Sequence, residues 1–277
     1  MPAVATMGEL RLINIGVQAL AGAASAICQP RLSAPGADAH KYRRGLLAVI
    51  GGAMPGAALL AAQAAQGAGA GYVKLLGGGE IPVPADLVQN ASPLDAALSD
   101  ERISAILIGP GLGRDAAARG HLLCAIAAKK PIVLDADALA LVAAKQSGPS
   151  IATPHEGELK TLERAFDCDG IGSKPERALA LAQASGMVIV AKGPDSVIAA
   201  PDGRIACAPR ASSWLSVAGT GDVLAGTIAS RLACGGEPFT AACEGVWLHG
   251  EAARLCPVPF TAGQLADTIP RAFAACL

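Results

Sequence analysis

The stretch "SAILIGPGLGRDAAARGHLLCAIAAKKPIVLDAD", residues 104–137, decides the fold. It opens on a short, continuously apolar run (104–111), crosses a stretch of helical composition (114–128) and returns to a second apolar run (131–137). Runs this short, β-branched and stopped by Gly or Pro read as parallel strands buried on both faces. Strand, helix and strand in that order form the repeating unit of a parallel sheet covered by helices.

Working outward, the alternation continues in both directions. Further strands are expected at 46–52, 71–76, 151–154 and 187–193, with helices at 56–69, 156–166 and 175–185. "SVIAAP" and "RIACAP" flank Asp202-Gly203, a strong signal for a tight hairpin. Helices near 222–233, 239–255 and 262–275 close the chain. This order predicts an α/β fold: a single doubly wound, mostly parallel sheet with helices on both faces and a late β-hairpin. The run "INIGVQALAGAASAIC" (13–28) predicts an N-terminal helix, too short and too weakly apolar to span a bilayer. "CQPRLSAPGADAHKYRRG" (28–45) reads as a linker, so residues 1–39 form a helix and linker ahead of one domain at 40–277.

Composition excludes several classes. Of 277 residues, 52% are hydrophobic, ample for a large core, and 22 basic side chains nearly cancel 23 acidic ones. Nucleic-acid binding needs clustered basic charge, and no basic run with interleaved aromatics occurs. The eight cysteines include no C-x-x-C pair, which argues against a zinc knuckle or redox motif and for reduced thiols in a cytoplasmic protein. Neither a nucleic acid nor a membrane is expected as a partner.

Ligands of such sheets gather at the carboxyl ends of the strands, and the motifs fall there. "IGGAMPGAA" places small residues before a helix start at residues 55–58, which suits a ligand lying on backbone and equally a tight turn. "IGPGLGRD" carries Gly109, Gly111 and Gly113, whose open amides suit phosphate or hydroxyl groups. "VLDADAL" sets Asp135 and Asp137 at a strand end, where they order a water or hydroxyl or, for Asp137, cap the next helix. In "ATPHEGELKTL", His155 and Glu158 are three apart and share one face of a first helical turn. Helix capping accounts for the glutamate; a histidine there reads better as a neutral donor to a ligand. "VAKGPDS" brings Lys192 out of a strand, able to meet a phosphate as a point charge.

The last motif is "SVAGTGDVLAG" (216–226). Gly219 and Gly221 let the chain curl so that successive amides converge at a helix start, forming an anion pocket with the helix dipole behind it. Asp222 beside it is placed to take a proton from a hydroxyl as a phosphoryl group arrives. The dipole is expected to keep Asp222 ionised and weakly basic, which suits phosphoryl transfer, where positioning outweighs base strength.

The G-x-G-D turn with an upstream T-P-H-x-x-E helix start resembles the ribokinase-like superfamily. In finer detail "HKYRRG…VIGG", "PGAALLAAQAAQGAGAGYV", "IGPGLG", "LDADAL", "TPHEGE", "KG" and "AGTGDVLAGTIA", in this order, resemble the ADP/ATP-dependent NAD(P)H-hydrate dehydratases across residues 40–255. That resemblance implies dehydration of the S-epimer of C6-hydrated NADH or NADPH (NADHX, NADPHX), with ADP or ATP as co-substrate and Mg2+. It implies the substrate at Ala57, Gly113, His155 and Asp222, with Asp222 catalytic. It implies the adenine nucleotide at Lys192, Gly193, Pro194, Asp195 and Ser196 and along Gly219, Thr220 and Gly221. Glu158 falls at the magnesium-ordering position, acting through water, and a homo-oligomer is usual. Ser196 replaces the threonine common after the K-G pair, His40-Lys41-Tyr42 replaces H-K-G, and "FTAGQLAD" lacks a Ser/Ala-Asp pair before the last helix. Some 40 residues precede His40, too few for the fused epimerase domain of many bacterial relatives, so dehydration alone is expected. A hydroxyethylthiazole- or pyridoxal-kinase-like enzyme would share G-x-G-D but not the "GPGLG" and "TPH" series. A non-catalytic nucleotide-binding protein would not need Asp222, Lys192 and the paired glycines together.

Overall fold

A computed structural model describes residues 22–79, 81–146 and 148–277. The expected strands form as β2 (Leu46–Gly51), β3 (Tyr72–Gly77), β5 (Ile103–Ile108), β6 (Ile132–Leu134), β7 (Ser150–Ala152) and β8 (Val188–Ala191). The hairpin is β9 (Val197–Ala199) and β10 (Ile205–Cys207), and two strands not expected are β1 (Ser25–Ala26) and β4 (Val88–Asn90). All ten described strands join one sheet in the order β1-β10-β9-β8-β7-β6-β5-β2-β3-β4. Every pairing from β4 across to β8 is parallel, while β9 runs antiparallel to both β8 and β10.

The inner parallel strands β2, β6 and β8 are apolar and buried along their length because both faces are covered. Along β2, Leu47 and Val49 enter one core while Leu46, Ala48 and Ile50 enter the other, the two-residue alternation of a strand. The first face carries α1 (Pro55–Gly67), α6 (Thr220–Ala233) and α7 (Pro238–Leu255); the second carries α3 (Ala116–Ala127), α4 (Glu156–Ala165) and α5 (Lys174–Ser185). A five-residue α2 (Leu94–Leu98) joins the second face through Ala97 and Leu98. α8 (Ala262–Ala274) forms an outer layer, burying Leu265, Ala266, Ile269 and Ala272 against α1 and α7. Its start is set by a capping box between Thr261 and Gln264.

The expected N-terminal helix over 13–28 lies outside the described residues as far as position 21, and its described end is not helical. Ser25–Ala26 instead adds a short parallel strand to β10, and the segment beyond it is pinned by Leu32, which is buried with α8. Pairing to an open sheet edge overrides the helix preference of the alanine-rich run.

Sheet order reverses between β2 and β5: from β2 the chain builds outward to β3 and β4, from β5 outward to β8. A crevice forms outside the carboxyl ends of strands where such a reversal occurs. There the loops after β2 and β5 lock together, Met54 N donating to Gly111 O (2.8 Å) and Ala53 N to Leu112 O (3.3 Å).

Candidate functional site

Four ionisable side chains from four elements converge beside this crevice. Asp135 follows β6, Glu158 lies in the first turn of α4, Lys192 follows β8 and Asp222 lies in the first turn of α6. Lys192 Nζ sits 2.8 Å from Asp135 Oδ1 and 3.8 Å from Glu158 Oε2. Asp135 is 2% exposed, and its Oδ1 also accepts from the buried Thr153 hydroxyl at 2.5 Å. Buried charge persists where it is paired and hydrogen-bonded, as here. Burial alone would lower the Lys192 pKa, but the charges of Asp135 and Glu158 more than reverse it and hold the ammonium charged. This lysine is therefore neither a solvated surface cation nor a free one; it is anchored among acids.

Asp222 is half-buried, and no described residue hydrogen-bonds its carboxylate. Burial first, then the charge of Asp135, push its pKa up to about 7, against the opposing pull of Lys192. The expectation that the helix dipole keeps Asp222 a weak base is overturned: desolvation makes it a base poised near neutrality. Gly219, at φ +94°, starts the turn; a side chain there would meet Leu60 Cδ1 at 2.8 Å and Ala262 Cβ at 2.9 Å. The last helix thus reaches the site through its first residue, although it lacks the Ser/Ala-Asp pair. Val223 N closes on Gly219 O (3.1 Å) and Thr220 N on Val217 O (3.4 Å), which leaves the amides of Gly221 and Asp222 unpaired among the described residues. Gly219 N has no partner among the described residues either, so the open amides of the run are Gly219, Gly221 and Asp222, with Thr220 N turned to Val217 O.

His155 corrects a second expectation. Its Nδ1 accepts from Gly157 N (2.9 Å) and Glu158 N (3.2 Å), while His155 N donates to Glu158 Oε2 (2.8 Å). The histidine is the N-cap itself, in a reciprocal box with Glu158. A ring that accepts at Nδ1 carries its proton on Nε2, 3.5 Å from Glu158 Oε1, and its side chain is 62% exposed. That Nε2 faces outward, and capping, which the charge argument denied to a histidine, accounts for its place. Asp137 neither caps the turn after β6 nor joins the acid cluster. Its Oδ2 accepts from Gly113 N (3.0 Å) and its Oδ1 from Arg114 Nε (2.8 Å), fastening the loop after β5. Ala57 lies partly exposed in the first turn of α1, where that loop meets the one after β2.

Next to Lys192 opens a cleft of ≈ 1170 Å³, bounded by Gly193, Pro194 and Ser196, by Thr220 and Gly221, and by α7. The Ser196 hydroxyl donates to Gly193 O (3.0 Å) and closes the turn. The Asp195 carboxylate turns away from the cleft to Lys174 (3.2 Å). One wall residue escaped sequence reading: His249 of α7. It is buried, its Nε2 donates to Thr220 O (3.0 Å), and burial drives its pKa down to about 4, so it is neutral. Inside the apolar run of α7 nothing distinguishes it from a core histidine.

Among the described residues, no three His, Cys, Asp or Glu side chains converge tightly enough to cage a metal. Asp135 Oδ2 accepts nothing from a described residue, and Glu158 Oε1 has only the 3.5 Å contact to His155. Such an oxygen set fits a cation that draws most of its ligands from water and phosphate, as Mg2+ does.

Open amides at a helix start, an unpaired carboxyl beside them and an adjoining cleft thus lie together at the carboxyl ends of the strands. The fold agrees with that of a ribokinase-like superfamily protein from Enterococcus faecalis (TM-score 0.74, 21% identity, 88% of this chain and 92% of that one). A family model described as NAD(P)H-hydrate dehydratase matches residues 47–273. The ADP-dependent (S)-NAD(P)H-hydrate dehydratase of Bacillus subtilis is 34% identical over 85% of this chain and 91% of its own. The crystal structure of a B. subtilis ADP/ATP-dependent NAD(P)H-hydrate dehydratase, co-crystallised with ATP and Mg2+, superposes with TM-score 0.77 at 32% identity, covering 89% and 95% of the two chains. The chain belongs to the NAD(P)H-hydrate dehydratase family. It spans 61% and 51% of the length of two mycobacterial relatives that are bifunctional NAD(P)H-hydrate repair enzymes.

Proposed function

We propose that the protein dehydrates the S-epimer of hydrated NADH or NADPH at the expense of ADP or ATP, returning the reduced cofactor. The observation that carries this is the placement of Asp222: a carboxyl raised to about 7, on the helical turn whose Gly221 and Asp222 amides are free, directly after Gly221, which lines the cleft. The nucleotide occupies the cleft along Lys192–Ser196 and Gly219–Gly221. The hydrated nicotinamide lies over Ala57, Gly113 and His155, with its C6 hydroxyl against Asp222.

Asp222 in its ionised form takes the hydroxyl proton as that oxygen attacks the terminal phosphorus. The P–O bond to the shorter nucleotide breaks, and the free amides at the start of α6 hold the charge on the transferred group. The ring nitrogen's lone pair then expels phosphate from C6, and loss of a C5 proton restores the C5–C6 double bond. Glu158 and Asp135 would hold Mg2+, which would supply positive charge to the phosphate oxygens. Residues 40–277 carry the catalytic machinery, β1 extends the same sheet, and the protein acts in the cytoplasm as a homo-oligomer. No helix among the described residues is long and apolar enough to cross a membrane.

Incubating hydrated NADH with the protein and ADP, then ATP, tests the reading. Absorbance of the reduced nicotinamide should rise only when nucleotide is present. Accumulation of a stable phosphorylated product without that rise would identify a small-molecule kinase, and no nucleotide dependence at all would end the proposal.

A further inference from the structure

The cleft has a charge imbalance. At its edge three acids, Asp135, Glu158 and Asp222, stand around the single Lys192, and a nucleotide brings further negative charge. Three cations line the cleft: Lys192, Arg210 and Arg254. Lys192 is occupied by Asp135 and Glu158, and Arg254 is forked onto Glu251 through contacts of 2.7 and 2.6 Å. Arg210 is exposed and has no carboxylate or carbonyl partner among the described residues.

Its position is nonetheless fixed. Ala208 N donates to Ser196 O (2.9 Å) and Ala211 N to Pro194 O (3.1 Å), so the chain on both sides of Arg210 is stapled to the Gly193–Ser196 turn. A planar, weakly hydrated guanidinium forks onto phosphate oxygens where an ammonium offers only a point charge.

We propose that Arg210, stapled to the Gly193–Ser196 turn and left unpaired at the cleft wall, is the side chain that grips the nucleotide's phosphate chain and makes the site select a di- or triphosphate over the bare nucleoside. This rests on the nucleotide assignment of the cleft made above. Arg210 acts in binding, away from the reacting hydroxyl.

Calorimetric titration with ADP, AMP and adenosine, using the intact protein and its Arg210→Ala and Arg210→Lys variants, tests it. Arg210→Ala should weaken ADP by about 10-fold or more, the size of a lost charge-assisted hydrogen bond, and leave adenosine within about 2-fold. Arg210→Lys should fall between, because it keeps the charge and loses the fork. In turnover, the nucleotide KM should rise by the same factor while kcat stays within about 3-fold. ADP binding equal to that of the unmodified protein, or equal losses for ADP and adenosine, would overturn the proposal. If the ADP-specific loss appears but no NADH is recovered from its hydrate, the dehydratase reading falls and Arg210 keeps its role. If the unmodified protein binds no adenine nucleotide, both fall.

Discussion

After β2 and β5 the chain packs main chain against main chain. After β8 the facing wall is a single turn closed by a serine hydroxyl, plus the segment 208–219. On the first side, loop amides donate to loop carbonyls, Asp137 clamps Gly113, and a Cβ on Gly109 would overlap the Asp135 carbonyl. On the second, the segment makes one three-residue helical turn, Ser213–Leu215, and leaves Trp214 and Val217 exposed at 47% and 39%. One wall is set by the folded sheet and the other is held at a few points, so the two should fail in different ways. Changes to the first cost stability or substrate fit; changes to the second cost nucleotide binding or alignment.

The largest effect belongs to Asp222, which stands between the walls. Asp222→Asn should lower kcat by about 10³-fold, within the range for losing a positioned base, while ADP still binds. In the unmodified enzyme kcat/KM should rise with pH through about 7, since the ionised carboxylate is the acceptor. The stability sign is opposite. Folding raises this pKa, so Asp222 costs no stability below its unfolded value of 3.8 and progressively more as pH rises toward about 7. Asp222→Asn should therefore raise Tm more at pH 8 than at pH 5, and an equal Tm change at both would contradict the burial account.

Next comes the packed wall. Gly109 has φ +128° and no room for a side chain, so Gly109→Ala should cost roughly 3–5 kcal/mol by denaturant unfolding. Gly203, in the hairpin turn at φ +99°, faces open space, and Gly203→Ala should cost only about 1 kcal/mol. Similar losses at the two positions would erase the distinction between packed and open turns. On the nucleotide side, His249 secures the Thr220 carbonyl at the start of α6. His249→Ala should lower kcat by roughly 10-fold with a smaller change in nucleotide KM, and His249→Gln, which keeps a donor, should recover part of it. A change in KM alone would make His249 a wall residue and nothing more. The smallest effect is expected at Asp137. Asp137→Ala frees Gly113 N and should raise KM for hydrated NADH by about 3- to 5-fold, leaving the nucleotide KM unchanged.

Much of this was legible in the chain because the centre of the sheet is buried on both faces, so each inner parallel strand announces itself as an apolar run. β4 and α2 were not: "VQN" and "LDAAL" are too short to show a period, and their pairing with β3 and α3 decides them. The motifs at strand ends located the site residues, but not which partner each one meets. Asp135 and Asp137 lie two apart at one strand end, yet one is buried on a lysine and the other grips a loop amide. His155 looked wrong for a helix start until its Nδ1 was seen accepting two amides. The ionisation of Asp222 depends on desolvation and on Asp135, 87 positions earlier in the chain, and no local pattern encodes either.

The central claim is that the substrate's own C6 oxygen becomes part of the phosphate that leaves. Hydrated NADH prepared in 18O-water carries the label on that oxygen, and 31P NMR or mass spectrometry of the released phosphate after one turnover with ADP reads its fate. The account predicts one 18O atom in each inorganic phosphate formed. Unlabelled phosphate, with the isotope recovered in water, would contradict it.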